Sequence, residues 1–195
     1  MRPAMPVRRQ FTGACGAALC VVVLGSPPAR AEAQSDPAGG ACGAAAVLVA
    51  VHVGVPSMRS ALLCLVNRER AAAGAPALAT SRRLRRAAQG HSDDMVARRY
   101  FLHTAPGGPG LVRRVRRTGY LRGAPNWALG EDLGWAEGPA ATAAALMNAW
   151  MNSPPHKAVM LDPAYRQLGI GIALGTPDPA RPDGATVTLD FGTAR

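Results

Sequence analysis

The sequence predicts an α+β domain in which helices pack on an antiparallel sheet. Three apolar patterns of helical period precede Pro154 and Pro155, and the period drops to two after them. The two alternating runs there are joined by a segment, residues 175–184, rich in proline and aspartate, which makes a long hairpin loop.

The first helix is expected to open at Ser57 as N-cap, with Met58, Ala61, Leu62, Leu65 and Val66 on one face and Gly74 as its stop. Thr80 or Ser81 caps the second. There Leu84, Ala88, His91 and Met95 share a face, while Arg82, Arg83, Arg85 and Arg86 project from the others. Residues 104–110, Thr-Ala-Pro-Gly-Gly-Pro-Gly, are loop, and Leu111 to Thr118 is a short helix ended by Gly119. Pro139 stands at a first helical position ahead of Ala143, Leu146, Met147 and Trp150, and the double proline ends that helix. In the closing hairpin Ile170, Ile172 and Leu174 alternate with small residues, and Val187, Leu189 and Phe191 with Thr186, Thr188 and Asp190.

Residues 1–31 have the order of a secretory signal peptide: Arg2, Arg8 and Arg9, an apolar stretch from Cys15 to Leu24, then small-residue sites at 29–31 and 31–33. Arg8-Arg9-Gln10-Phe11 also carries the arginine pair of twin-arginine export. Residues 32–56 are linker and extension, and residues 57–195 are the domain. No apolar run reaches the roughly 18–20 residues of a membrane-spanning helix. The expected location is secreted or periplasmic. Cleavage removes Cys15 and Cys20 and leaves Cys42 and Cys64, either as free thiols or as the one pairing that two cysteines allow. A bridge closing that loop would contribute roughly 3 kcal/mol.

Composition bounds the partners. Of the 195 residues 48% are hydrophobic, but 39 residues are alanine, so the core is thin. The formal charge of +10 rests on 21 arginines and one lysine, the bias of a GC-rich genome, and removal of residues 1–31 lowers it to +6. Eleven arginines between Arg82 and Arg122 face only Asp93 and Asp94. Because export separates the chain from nucleic acid, no nucleic acid is expected as partner. A small molecule, a lipid or an anionic envelope polymer suits the field better, with the chain a monomer.

His103 opens the glycine loop, His156 follows the double proline at a helix start, and Glu131 sits between Gly130 and the Asp132-Leu133-Gly134 segment. Junctions between elements are where functional groups are mounted. Two histidines and a carboxylate suit Zn²⁺ or another divalent cation with an open position, although their separations form no local ligand motif. His91, on an apolar helix face, reads as a hydrogen-bonded core histidine, and His52 lies in the extension.

Taken in order, Leu63-Cys64-Leu65-Val66-Asn67-Arg68-Glu69-Arg70, Gly90-His91-Ser92-Asp93-Asp94-Met95, Tyr100-Phe101-Leu102-His103, Gly130-Glu131-Asp132, Trp150-Met151-Asn152-Ser153-Pro154-Pro155-His156, Gly169-Ile170-Gly171 and Asp190-Phe191-Gly192 resemble the bacterial branch of the CAP superfamily (cysteine-rich secretory proteins, antigen 5 and pathogenesis-related 1 proteins). The resemblance covers about residues 57–193. It implies a three-layer α-β-α sandwich with a central antiparallel sheet, and a cleft in which His103, Glu131 and His156 hold a divalent ion. It implies Ser153 and Asp132 as further cleft-lining residues, Ser153 standing where the eukaryotic branch has a glutamate. Asp132 and Val159 depart from the asparagines common in the family, the first adding a negative charge and the second removing a hydrogen-bonding side chain. The resemblance also supports pairing Cys42 with Cys64. The function implied is binding or interaction at the envelope or outside the cell. The alternative is a metal-dependent hydrolase of peptides, esters or wall fragments with Glu131 as general base.

Overall fold

The computed structural model describes residues 23–24, 42–43 and 50–195. The expected signal-peptide features and cleavage sites therefore lie outside the described residues, apart from Val23 and Leu24, and so does the side chain of His52.

Helices on both faces of a sheet make three layers. Strand β1 is the short Val23–Leu24. Helix α1 (Ala50–Ala72) is two helical pieces joined at Gly54, whose φ of 75° and ψ of 155° break the first before Pro56 starts the second. Ser57 thus lies inside the helix rather than at its N-cap, because proline without an N–H is suited to that first turn. Gly74, at φ 70°, ends it: Gly74 N–H reaches the Ala71 carbonyl at 3.1 Å and Ala75 N–H the Arg70 carbonyl at 2.8 Å. After the two-residue strand β2 (Ala79–Thr80), Ser81 caps α2 (Arg82–Arg98), its hydroxyl accepting from Leu84 N–H at 3.4 Å. Helix α3 is Leu111–Arg117. Helix α4 (Ala143–Met151) begins later than Pro139 suggested. Pro139 lies in a 3₁₀ turn over Gly138–Ala140, and the cap is Thr142, which accepts from Ala145 N–H at 3.1 Å. Helix α5 (Pro154–Leu161) carries Pro154 in its first turn.

Strand β3 (Trp127–Glu137) pairs antiparallel with β5 (Gly184–Ala194), and β5 pairs antiparallel with β4 (Gln167–Leu174). Two short parallel strands flank this centre: β2 beside β4, and β1 beside Trp135–Ala136. The central sheet is antiparallel as expected, and the whole is mixed.

Strand alternation divides the faces. Leu168, Ile170, Ile172, Val187, Leu189 and Phe191 meet α1, α4 and α5 in the larger core cluster. On the other face Leu129 and Leu133 join α2 and α3 through Leu84, Val115 and Met95. Helix α2 lies almost on the backbone of β4. A Cβ added at Gly169 would stand 2.2 Å from the Leu84 carbonyl carbon, and one at Gly171 the same distance from that of Ala88. The polar row of β5 is therefore buried too, and the Ser92 hydroxyl donates to Thr188 Oγ1 at 2.9 Å. Fully buried Arg70 ties α1 to the chain around α5, donating to the carbonyls of Pro76, Met160, Asp162 and Tyr165. The extension is fastened by a Cys42–Cys64 disulfide with Cα atoms 5.6 Å apart. Among the described residues no helix is long and apolar enough to cross a membrane.

Candidate functional site

Glu131 stands in the middle of β3 on the face covered by α2 and α3, directly across from Asp190 of β5. Both carboxylates are taken out of water, Asp190 completely. Two basic side chains answer them. Arg114 of α3, itself buried, donates a short Nη2 hydrogen bond to Glu131 Oε2, and its Nη1 donates to the carbonyls of His103 at 2.8 Å and Pro109 at 3.1 Å. His103, whose side chain is 56% exposed, places Nδ1 2.9 Å from Glu131 Oε1. One guanidinium thus grips both the carboxylate and the loop that carries the histidine.

The protonation pattern follows. Burial alone would raise the Glu131 pKa, but the His103 hydrogen bond and the charges of Arg114, His91 and His103 outweigh it and hold the carboxyl below its ordinary value. An ionised carboxylate only accepts, so the proton between the two residues sits on His103 Nδ1. Asp190 is pushed the opposite way, upward, by burial, then by the negative charge of Glu131 and by hydrogen bonding to it. The two carboxyls are thus driven apart, Glu131 toward its ionised form and Asp190 toward its neutral one.

His91 behaves as a core histidine. It is 1% exposed, with Nε2 3.0 Å from the Leu102 carbonyl and Nδ1 3.4 Å from Tyr100 Oη, and burial lowers its pKa. His156, in the first turn of α5, is nearly buried and places Nδ1 2.7 Å from the hydroxyl of Ser153, the residue that precedes the helix. Its pKa is lowered by burial and then by the proximity of His103.

Two expectations change. Asp132 does not line a site with Glu131: as the next residue of β3 it points to the opposite face, toward the layer holding Trp150, Val159 and Tyr165. Nor does its setting favour a charge there. It is 1% exposed, Oδ2 has no partner, and burial followed by the charge of Glu131 drives its pKa well above the ordinary carboxylate value, favouring the neutral acid. Val159 packs half-buried against the core beside Gly130 and the Tyr165 hydroxyl, which also lacks a partner.

Arg114 and Asp190 are the members the sequence reading passed over. Arg114 was discoverable: with Leu111 and Val115 facing inward, position 114 falls on the same helix face. Asp190 stood in a row whose polar neighbours gave no sign of being covered.

Among the described residues no three His, Cys, Asp or Glu side chains are grouped to hold a metal ion. Glu131 fits less well as a ligand, since its side chain is 3% exposed and each oxygen already accepts a hydrogen bond, from a guanidinium and from an imidazole. The histidines do fit by donor chemistry. His103 gives its Nδ1 proton to a carboxylate, the usual support for a ligating Nε2, and His156 has Ser153 in the corresponding place.

Known proteins of similar sequence and shape share this architecture. The chain is 29% identical over 109 residues to the uncharacterized protein YkwD of Bacillus subtilis (strain 168), covering 55% of this chain and 39% of that protein. Among solved structures it resembles an extracellular protein containing a SCP domain from Bacillus anthracis str. Ames, with a TM-score of 0.54, 24% identity, and coverage of 71% of this chain and 43% of that one. It also resembles an outer surface protein from Borrelia burgdorferi, with a TM-score of 0.55, 18% identity, and coverage of 69% of this chain and 90% of that one. The chain thus spans less than half the length of the two Bacillus proteins. The model of the cysteine-rich secretory protein family matches residues 63–191, which include both halves of the sheet and the His103, Glu131 and His156 positions, so the chain belongs to that family.

Proposed function

We propose that the chain is an exported binding protein whose His103 and His156 take a divalent ion such as Zn²⁺, with Glu131 orienting His103 and no hydrolytic role assigned to it. The observation that carries this is the hydrogen bond from His103 Nδ1 to Glu131, which leaves Nε2 as the ligating nitrogen while Arg114 holds the other carboxylate oxygen. A general base works best with a pKa near the operating pH and a lone pair free for the incoming proton. Glu131 is held well below that range and its side chain is 3% exposed, which weighs against the hydrolase alternative. A bound ion would supply a positive centre at the exposed edge of His103, against which an anionic or carbonyl-bearing ligand is held.

Export is supported by the Cys42–Cys64 disulfide, which persists in oxidising compartments, and by the extracellular and outer-surface descriptions of the structural relatives. Calorimetric titration of the metal-stripped protein with Zn²⁺ tests the site. One saturable event is expected, lost in His103→Ala and in His156→Ala and weakened about 10- to 100-fold in Glu131→Gln, as for removal of a ligand's support. Absence of heat, or full binding in both histidine variants, overturns the metal. Hydrolysis of a peptide, ester or wall-fragment substrate that vanishes in Glu131→Gln overturns the assignment of Glu131.

A further inference from the structure

Away from β3, at the opposite edge of the sheet, a cavity of about 310 Å³ opens between the middle of α1 and the N-terminus of α2. Arg59, Arg82 and Arg85 line it together with Leu63, Leu168 and Ile170. Arg59 is aimed by its own hydrogen bonds, Nε to the Ile170 carbonyl at 3.1 Å and Nη2 to Gln89 Oε1 at 3.4 Å. Arg82 and Arg85 are exposed, and among the described residues none of the three guanidinium groups has a carboxylate within ion-pair distance. The start of the 17-residue helix α2 adds the positive end of its dipole at the same rim.

These three arginines line one concavity instead of being scattered over a convex surface. The pKa of Arg59 is lowered by burial and then by the charge of Arg85, so at least these two lie close enough to repel. An oxyanion placed among them relieves that repulsion and gains forked, charge-assisted hydrogen bonds, the geometry for which guanidinium is suited. The aliphatic floor gives a carbon skeleton attached to the anion a surface to lie on.

We propose that this cavity binds a phosphate-type oxyanion, free or as an anionic lipid headgroup, through Arg59, Arg82 and Arg85, independently of the histidine site. The test uses inorganic phosphate in calorimetry at low ionic strength, and flotation with vesicles of phosphatidylglycerol and phosphatidylcholine against phosphatidylcholine alone. Three variants are compared with the parent protein after circular dichroism confirms folding. R82Q/R85Q removes two of the guanidinium groups, S60F plugs the mouth of the cavity without changing charge, and R113Q/R117Q removes the same charge from exposed positions on α3. Saturable phosphate binding is expected, weakened at least tenfold by R82Q/R85Q and by S60F and changed less than twofold by R113Q/R117Q. Selective flotation with phosphatidylglycerol that phosphate displaces assigns the lipid source, and saturable phosphate binding without vesicle selectivity assigns the free anion. The proposal is overturned if neither probe binds saturably, or if the two arginine pairs weaken binding equally while S60F does not, since that is a diffuse field.

Discussion

Arg114 decides the chemistry of its neighbourhood because it is the permanently charged cation beside two buried carboxyls. Its own side chain is 8% exposed and that of Glu131 is 3% exposed, so water cannot replace either partner. Breaking such a pair from one side is costlier than its net contribution, because the remaining charge stays buried. Arg114→Gln is therefore expected to lower unfolding stability by about 3–5 kcal/mol. R114Q/E131Q should recover part of that loss, measured by denaturant midpoints at constant slope. A single-variant loss below about 1 kcal/mol, within the range of a solvated pair, would show that the pair is wet. Asp132 gives the reverse sign. Its folded pKa lies above the ordinary value, so its neutral form favours the fold at low pH, and that contribution is lost as pH rises through the folded pKa. Asp132→Asn keeps the shape and does not titrate. Its melting temperature should exceed the parent's by a few degrees at pH 8, at roughly 2–4 °C for each kcal/mol, and the gap should narrow toward pH 4. A gap that is the same at both pH values refutes the assignment of a neutral Asp132.

At the scale of elements, the glycines of the sheet are contact points for the helices. Gly171 has no unusual φ, yet its missing Cβ is where the α2 backbone passes. Gly171→Ala should cost about 3 kcal/mol, the upper end for overpacking, because the obstacle is main chain rather than a side-chain tip. Gly90 in the same helix α2 faces open space, and Gly90→Ala should stabilise by about 0.5–1 kcal/mol. Thermal unfolding of the two variants checks both signs, and equal effects would mean that α2 does not rest on β4. These contacts also explain what the sequence could and could not disclose. Helix α2 was legible because it has one wet face, so Leu84, Ala88, His91 and Met95 repeat cleanly against exposed arginines, and α4 from the spacing of Ala143, Leu146, Met147 and Trp150. The hairpin of β4 and β5 was legible from its aliphatic alternation. Strand β3 was not. Residues 129–136 are buried on both faces, with Gly130 and Gly134 yielding to Tyr165 and Trp150, so Leu129-Gly130-Glu131-Asp132-Leu133-Gly134 has no polar-apolar period to read. His103 and Glu131 could be named from their motifs, but their link could not. It depends on a strand without a pattern and on an arginine that looked like one of many.

For the whole molecule, the question is what holds a domain so rich in alanine together. Its large buried side chains concentrate between the sheet and the α1, α4 and α5 layer, where Trp150, Tyr165, Phe191 and Met58 are at most 1% exposed. The opposite layer relies on smaller clusters and on the buried ion pair. Helix α1 is the long member of the stronger layer, and Cys64 in its middle is bonded to Cys42, 22 positions earlier. Cys42 and Val55 both pack against the same core cluster, so the bridge anchors the extension on the best-packed face. In the loop-entropy picture, closing a segment of this length restricts the unfolded chain by roughly 3 kcal/mol. That is a large share of the about 5–15 kcal/mol by which a typical domain is stable. Cys42→Ser/Cys64→Ser, or reduction of the parent protein, should lower the denaturant midpoint by that free energy and the melting temperature by roughly 2–4 °C for each kcal/mol. Far-ultraviolet circular dichroism of the folded state should not change, because the layers do not need the bridge for their shape. The variant with serines should also respond to reductant no further, whereas the parent falls to meet it. If the parent is unmoved by reduction while thiol titration shows both cysteines free, the extension contributes nothing to stability, and the domain stands on its two unequal layers alone.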